Sequence, residues 1–131
     1  MTKKLLLICL TILFNCQTKK DKSDDPIITI YSVDKDIETI ISIQCSEFLN
    51  QFDGTEFKTK KLTEKRTVDY FLHQLEDLGL ASDKRDPDTR GMILIKTKTA
   101  TDTICADKFS LRYRNKYYLM SDKLRKEIWT E

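Results

Sequence analysis

Acid–base chemistry needs a titratable side chain and a partner that orients it, and His73 is the single histidine of the chain. It lies in a segment where Phe71, Leu72 and Leu75 recur at helical spacing, and its helical angle places it on the flank of that apolar stripe. The sequence nominates no second group to work with it. We therefore interpret His73 as a surface residue, predict no catalytic residues and expect that the protein is not an enzyme.

The segment from Asp86 to Gly91 has the spaced carboxylates of a calcium loop, but it does not complete one. Arg90 occupies an oxygen-ligand position, and the twelfth residue is Thr97 instead of glutamate. We predict a turn in which Asp86 or Asp88 pairs with Arg90. The cysteine spacing fits no zinc motif, and three isolated glycines cannot form a phosphate cradle. We therefore predict no metal site and no cofactor.

Cations and aromatic side chains alternate near the C-terminus. The residues are Arg112, Tyr113, Arg114, Tyr117 and Tyr118. Proteins that bind single-stranded nucleic acid use such mixtures. Here, however, the formal net charge of +2 comes wholly from Lys3 and Lys4, so the rest of the chain is formally neutral and has no overall positive charge that would attract nucleic acid. In the alternative interpretation, Tyr113 and Tyr117 are half-buried sheet residues with the cations on the solvent face. Because Tyr and Arg are enriched at binding hot spots, any interaction surface is predicted here.

The N-terminus has the pattern of an export signal. Lys3 and Lys4 precede about ten mostly apolar residues, whereas a membrane-spanning helix needs roughly 20. The charged residues 17–25 cannot bury enough apolar surface to fold. We predict a signal peptide over residues 1–15, a flexible tether over residues 16–26 and one globular domain over residues 27–131.

The end of the apolar segment, Leu13-Phe14-Asn15-Cys16, resembles the lipobox of bacterial lipoproteins. Phe14 and Asn15 depart from the small residues that are commonest there. The Lys/Asp-rich tract after Cys16 is similar to tethers of some Gram-negative lipoproteins, where such tracts favour delivery to the outer membrane or the cell surface. The resemblance implies acylation of Cys16, as with palmitate, and an outer-membrane anchor. The alternatives are a secreted protein without lipid and a cytosolic protein with an apolar first helix.

If Cys9 leaves with the signal and Cys16 takes the lipid, Cys45 and Cys105 remain. Outside the cytoplasm, two cysteines are compatible with one disulfide. That bond would close a loop of about 60 residues and stabilise the domain by roughly 4 kcal/mol at most. Two buried free thiols that act as small apolar side chains fit the sequence equally well.

Apolar periodicity predicts the elements that would position these residues. Alternation predicts strands over residues 27–33, 57–62, 91–99, 103–106, 109–113 and 117–119. Helical spacing predicts a long amphipathic helix over about residues 63–78, and Ser121 is expected to cap a short C-terminal helix. Residues 37–52 are ambiguous, and we favour a strand to about Gln44 and then a short helix over one continuous helix.

The strands flank one helix without β-α-β alternation, which predicts an α+β fold. We expect an antiparallel sheet of about five to six strands with the long helix on one face. The order of elements resembles small bacterial lipoproteins of uncharacterised function. The shared pattern begins with an Ile-rich hairpin that ends in Cys45 and an amphipathic helix. The motif Asp88-Thr89-Arg90 before a strand, a strand that carries Cys105, a hairpin and a short helix follow. That resemblance implies a fold but no chemistry.

These features favour a membrane-anchored envelope lipoprotein whose domain is a non-catalytic binding or structural module. We expect an envelope protein as its partner and no nucleic acid. The first alternative is an envelope inhibitor or immunity-type protein, because such proteins are often small, tethered and free of catalytic constellations. An envelope hydrolase is the second alternative.

Overall fold

The computed structural model describes residues 24–52, 54 and 56–129 and contains one antiparallel sheet. Its strands are β1 (Ile27–Ser32), β2 (Lys58–Leu62), β3 (Gly91–Lys96), β4 (Thr101–Ala106), β5 (Ser110–Tyr113) and β6 (Lys116–Leu119), in the order β2-β1-β3-β4-β5-β6. The helices are α1 (Phe48–Gln51), α2 (Lys65–Glu76) and α3 (Asp122–Ile128). The predicted α+β class and the antiparallel sheet are confirmed.

One face of the sheet carries the main core. Alternate strand residues point to the same face, so Ile28, Ile93 and Ile104 project together. They form one buried cluster with Phe71 of α2 and Leu124 of α3, all fully buried. Both longer helices therefore cover this face, and we call it the helix face.

The opposite face, which we call the loop face, has a smaller core. Met92 and Cys105 point to this side and are buried with Phe48, which belongs to α1. The rings of Phe48, Phe52 and Phe57 meet edge to face, with centroids 5.3 to 6.0 Å apart, a geometry that aromatic pairs prefer. The segment between β1 and β2 thus packs on half of the sheet without adding a strand.

The helix predicted over about residues 63–78 is shorter than expected. α2 has 12 residues and lies between two segments that bond to the sheet. Leu62 is still part of β2, and beyond the helix the carbonyl of Gly79 accepts from Leu119 while the amide of Ala81 donates to Tyr117, each at 2.9 Å. The helix therefore ends at Glu76, and the chain bonds to β6 from Gly79 onward.

The strand predicted from residue 37 to about Gln44 is wrong. Residues 37–44 have no regular secondary structure, although a short helix does follow. Their β-branched side chains favour a strand only when a neighbouring strand pairs with them. Here the backbone bonds to side chains instead: Thr39 Oγ1 donates to the carbonyl of Ile41 at 2.6 Å, and the amide of Ile43 donates to Asp88 at 2.7 Å.

The two ends of the sheet differ in what they carry. β1 begins at Ile27, beside Lys96, and the preceding Asp24 and Asp25 form ion pairs with Lys98 and Lys65. We call this the tether end. β1 then runs about 20 Å to the opposite end, the distal end, where residues 33–43 leave the sheet.

Candidate interaction surface

The predicted interaction residues near the C-terminus form a hairpin, and the sheet divides them between its faces. Arg114 and Asn115 have φ angles of 49° and 59°, as the type I′ turn joining β5 to β6 requires. Arg112 lies opposite Tyr117 and shares the loop face with Cys105. Tyr113 and Tyr118 instead pack against the main core on the helix face. The five residues therefore form two groups, not one continuous surface.

The helix-face group lines a cavity of about 590 Å³ beside Leu72 and Leu75 of α2. The Tyr113 hydroxyl donates to Asp102 at 3.2 Å, and Arg114 donates to the same carboxylate at 2.7 Å while its guanidinium lies 4.9 Å from the Tyr113 ring centroid. Arg114 holds the pKa of Asp102 below its ordinary value, and burial raises the pKa of Tyr113. Tyr113 and Arg114 are thus both bonded to Asp102.

The loop-face group is also internally paired. Arg112 donates to Asp86 at 2.7 Å, and the Tyr117 hydroxyl donates to the same oxygen at 3.2 Å. The Asp86 carboxylate raises the pKa of Arg112. Arg112 borders a groove of about 540 Å³ whose floor includes Met92 and Cys105. This groove is a second concave feature, within the size range of small-ligand sites.

Cys45 and Cys105 are joined in the structure by a disulfide, with their Cα atoms 5.7 Å apart. The bond links the segment before α1 to β4, across the loop face. It therefore fixes one end of residues 37–45 to the centre of the sheet. The sequence left a disulfide and two free thiols equally open, and the structure contains the disulfide.

Arg90 fixes the other end of this segment. Its side chain is only 5% exposed, and it donates to the carbonyl of Ile37 at 3.0 Å and to Thr39 Oγ1 at 2.9 Å. Both terminal nitrogens also bond Asp88, at 2.7 and 3.0 Å, a bidentate arrangement. Asp88 in turn accepts from the amide of Ile43. The expected pairing of Arg90 is thus with Asp88, while Asp86 pairs with Arg112.

Between these fixed points, residues 40 and 41 project into solvent. Ile40 is fully exposed and Ile41 is 62% exposed. Phe109, which is 69% exposed, lines the cavity beside Thr39 and the neighbouring cavity beside Leu119. The exposed large apolar side chains at this end are Ile40, Ile41, Leu80, Phe109 and Leu119. We call this set the distal ridge.

Sequence reasoning missed the distal ridge because it assigned four of its five members to strands and gave Leu80 no role. One signal was available: Ile40 and Ile41 are adjacent, so a strand would direct them to opposite faces, and burying both would require a core on each face. A second signal was the Asp-x-Arg spacing, which places Asp88 and Arg90 on the same side of an extended chain. The sequence could not show which backbone groups that pair would bond.

His73 lies on the surface, as interpreted, with Nδ1 3.7 Å from Glu76 and Nε2 3.6 Å from Asp77. Within residues 24–52, 54 and 56–129, no three His, Cys, Asp or Glu side chains are grouped so that they could hold a metal ion. No helix in this same part of the chain is long and apolar enough to span a bilayer. The signal peptide, Cys16 and most of the tether lie outside the described residues.

Comparison with known proteins adds no relative. No protein-family model, curated protein or solved structure matches the chain. Evidence on function therefore comes from the residues of this chain and their geometry.

Proposed function

We propose that the protein is a lipoprotein of the Gram-negative envelope, anchored to the outer membrane through Cys16, and that its α+β domain is a non-catalytic binding module. The lipobox-like residues 13–16 and the charged tract that follows support the anchor. The Cys45–Cys105 disulfide supports an oxidising compartment, because such bonds are rare in the cytosol.

One observation carries the binding role. At the distal end, about the length of β1 away from the point where the tether joins the domain, Phe109 and Leu119 are exposed on one cavity, and Ile40 and Ile41 are exposed in the loop that borders it at Ser42. Contiguous exposed apolar patches on a soluble domain mark interaction sites, because leaving them in water is unfavourable. A tether that enters at the opposite end leaves this patch facing away from the anchor.

The anchor is tested by Cys16→Ala in cells that process lipoproteins. Without the thiol no acyl chain can attach, so the variant should be found in the soluble fraction or remain unprocessed, while the wild type is found in membranes. Fractionation with metabolic palmitate labelling measures both. Cys9→Ala is the matched control, because a cysteine inside the apolar segment should not affect anchoring. A processed Cys16→Ala protein that stays in the membrane would disprove the lipid anchor.

A further inference from the structure

The two edges of the sheet differ in how their backbone groups are used. β6 forms one edge, and residues 79–81 cover part of it with two backbone hydrogen bonds of 2.9 Å, from Leu119 to Gly79 and from Ala81 to Tyr117. β2 forms the other edge and pairs with β1. Within residues 24–52, 54 and 56–129, no backbone hydrogen bond joins β2 to a further segment.

The outer side of β2 has a row of unused hydrogen-bonding groups. In an antiparallel pair, alternate residues of each strand bond the partner strand, and the residues between them direct their N–H and C=O groups away from it. β2 has five residues, so at least two of them direct these groups outward. Lys58, Thr59 and Lys61 are exposed, so another chain can approach this edge. An open edge of this kind is a template for a further strand.

The side chains of β2 are mainly basic. Lys58, Lys60 and Lys61 are three of its five residues. Glu127 of α3 pairs with Lys60 at 3.1 Å, whereas Lys58 and Lys61 form no ion pair in the part of the chain that the structure describes. Side chains directly opposite on neighbouring strands interact over about 5 Å. An added strand would therefore meet a local excess of positive charge.

These charges decide among occupants of the edge. A second copy of β2 would place lysines opposite lysines, which is unfavourable for directly opposed side chains. A lipid surface offers no row of backbone groups that could pair with a strand. Glu56 and Glu64, the nearest carboxylates in sequence, lie beyond the two ends of β2. An extended segment rich in Asp or Glu is complementary both to the backbone groups and to the lysines.

We propose that β2 binds an extended acidic segment of another protein, which adds a seventh strand to the six-stranded sheet. The segment bonds the outward backbone groups of β2, and its carboxylates lie opposite Lys58 and Lys61. The main-chain bonds supply the affinity, and the carboxylates select the sequence of the segment. This surface is separate from the distal ridge and does not depend on the lipid anchor.

The test uses a fluorescent peptide of about seven residues, with Glu at alternate positions and Thr between them, titrated into the purified full chain at low salt. We expect saturable binding and slower amide exchange in the residues of β2 that direct their amides outward. A peptide with Lys in place of Glu should not bind. A peptide of the same charge with methylated backbone nitrogens cannot donate main-chain bonds and should bind at least about tenfold more weakly.

Charge reversal on the chain separates this edge from a general effect of net charge. Lys58→Glu with Lys61→Glu should weaken binding of the Glu peptide by about tenfold or more. Lys84→Glu with Lys116→Glu changes the net charge equally, at exposed positions away from β2, and should weaken binding by less than about twofold. The peptide controls use the unchanged chain, so they test the proposal even if the reversed strand fails to form.

Several results would overturn strand addition at β2. They are no binding of the Glu peptide, equal binding of the methylated peptide, slower exchange at β6 in place of β2, or an affinity that charge reversal of Lys58 and Lys61 leaves unchanged. Protection of the outward amides of β2 in the chain alone, by a second copy or by its own N-terminal residues, would also overturn it. Fractionation of the Cys16→Ala variant is independent of all these results, so the anchor and the strand-binding edge fail separately.

Discussion

Phe71→Ala should lower the free energy of unfolding by about 3 to 5 kcal/mol. Phe71 is fully buried on the inner side of α2, in the cluster that joins this helix to Ile28, Ile93 and Ile104 of the sheet. Removing the ring takes away its burial and leaves a cavity at the contact between helix and sheet, which the surrounding strands cannot close completely. Urea denaturation monitored by circular dichroism measures the change.

The neighbouring residue provides a matched control. Tyr70 is also aromatic and also in α2, but 47% of it is exposed. Tyr70→Ala should change stability by only about 0.5 kcal/mol, since surface substitutions rarely do more. If Phe71→Ala cost no more than Tyr70→Ala, the main core would not lie where the structure places it.

Loss of the disulfide should be the second large effect. Replacing Cys45 and Cys105 by alanine should destabilise the domain by about 4 kcal/mol at most, because the bond restricts a loop of 60 residues in the unfolded chain. Amide exchange should rise most in residues 37–47, which lose the covalent one of their attachments to the rest of the domain. Denaturation and hydrogen exchange measure the two effects.

Reductant distinguishes this mechanism from the effect of the substitutions themselves. It should destabilise the wild type to a similar degree and leave the double alanine variant unaffected. Cys105 is only 2% exposed, so the reduction must be carried out under conditions that open the domain. Equal stability of the wild type and the variant without reductant would contradict a bond that closes this loop.

The regular part of the fold could be predicted from the sequence because its signals are local. Alternation in residues 27–32 and 91–95 identifies β1 and β3, and the spacing of Val68, Phe71 and Leu75 identifies α2. The bounds of α2 could not be predicted in this way. Beyond its C-terminal end, the carbonyl of Gly79 accepts from β6 and the amide of Ala81 donates to it, and β6 is distant in sequence.

The distal end could not be predicted because tertiary contacts override local preference there. Residues 37–43 have the composition of a strand, yet Arg90, about 50 positions away, donates to the carbonyl of Ile37 and to the side chain of Thr39. The surface formed by the β5–β6 hairpin also could not be predicted from composition alone. Its composition indicated a binding surface, but the alternation of Arg112 and Tyr113 across the sheet separates them.

The intact mass of the protein extracted from native membranes tests the lipid anchor at Cys16 most directly. We expect the mass of residues 16–131 plus acyl groups, increasing by the mass of two hydrogens when the Cys45–Cys105 disulfide is reduced. A mass without acyl groups would contradict the lipoprotein proposal. A lipidated mass that reductant leaves unchanged would keep the anchor and contradict the disulfide.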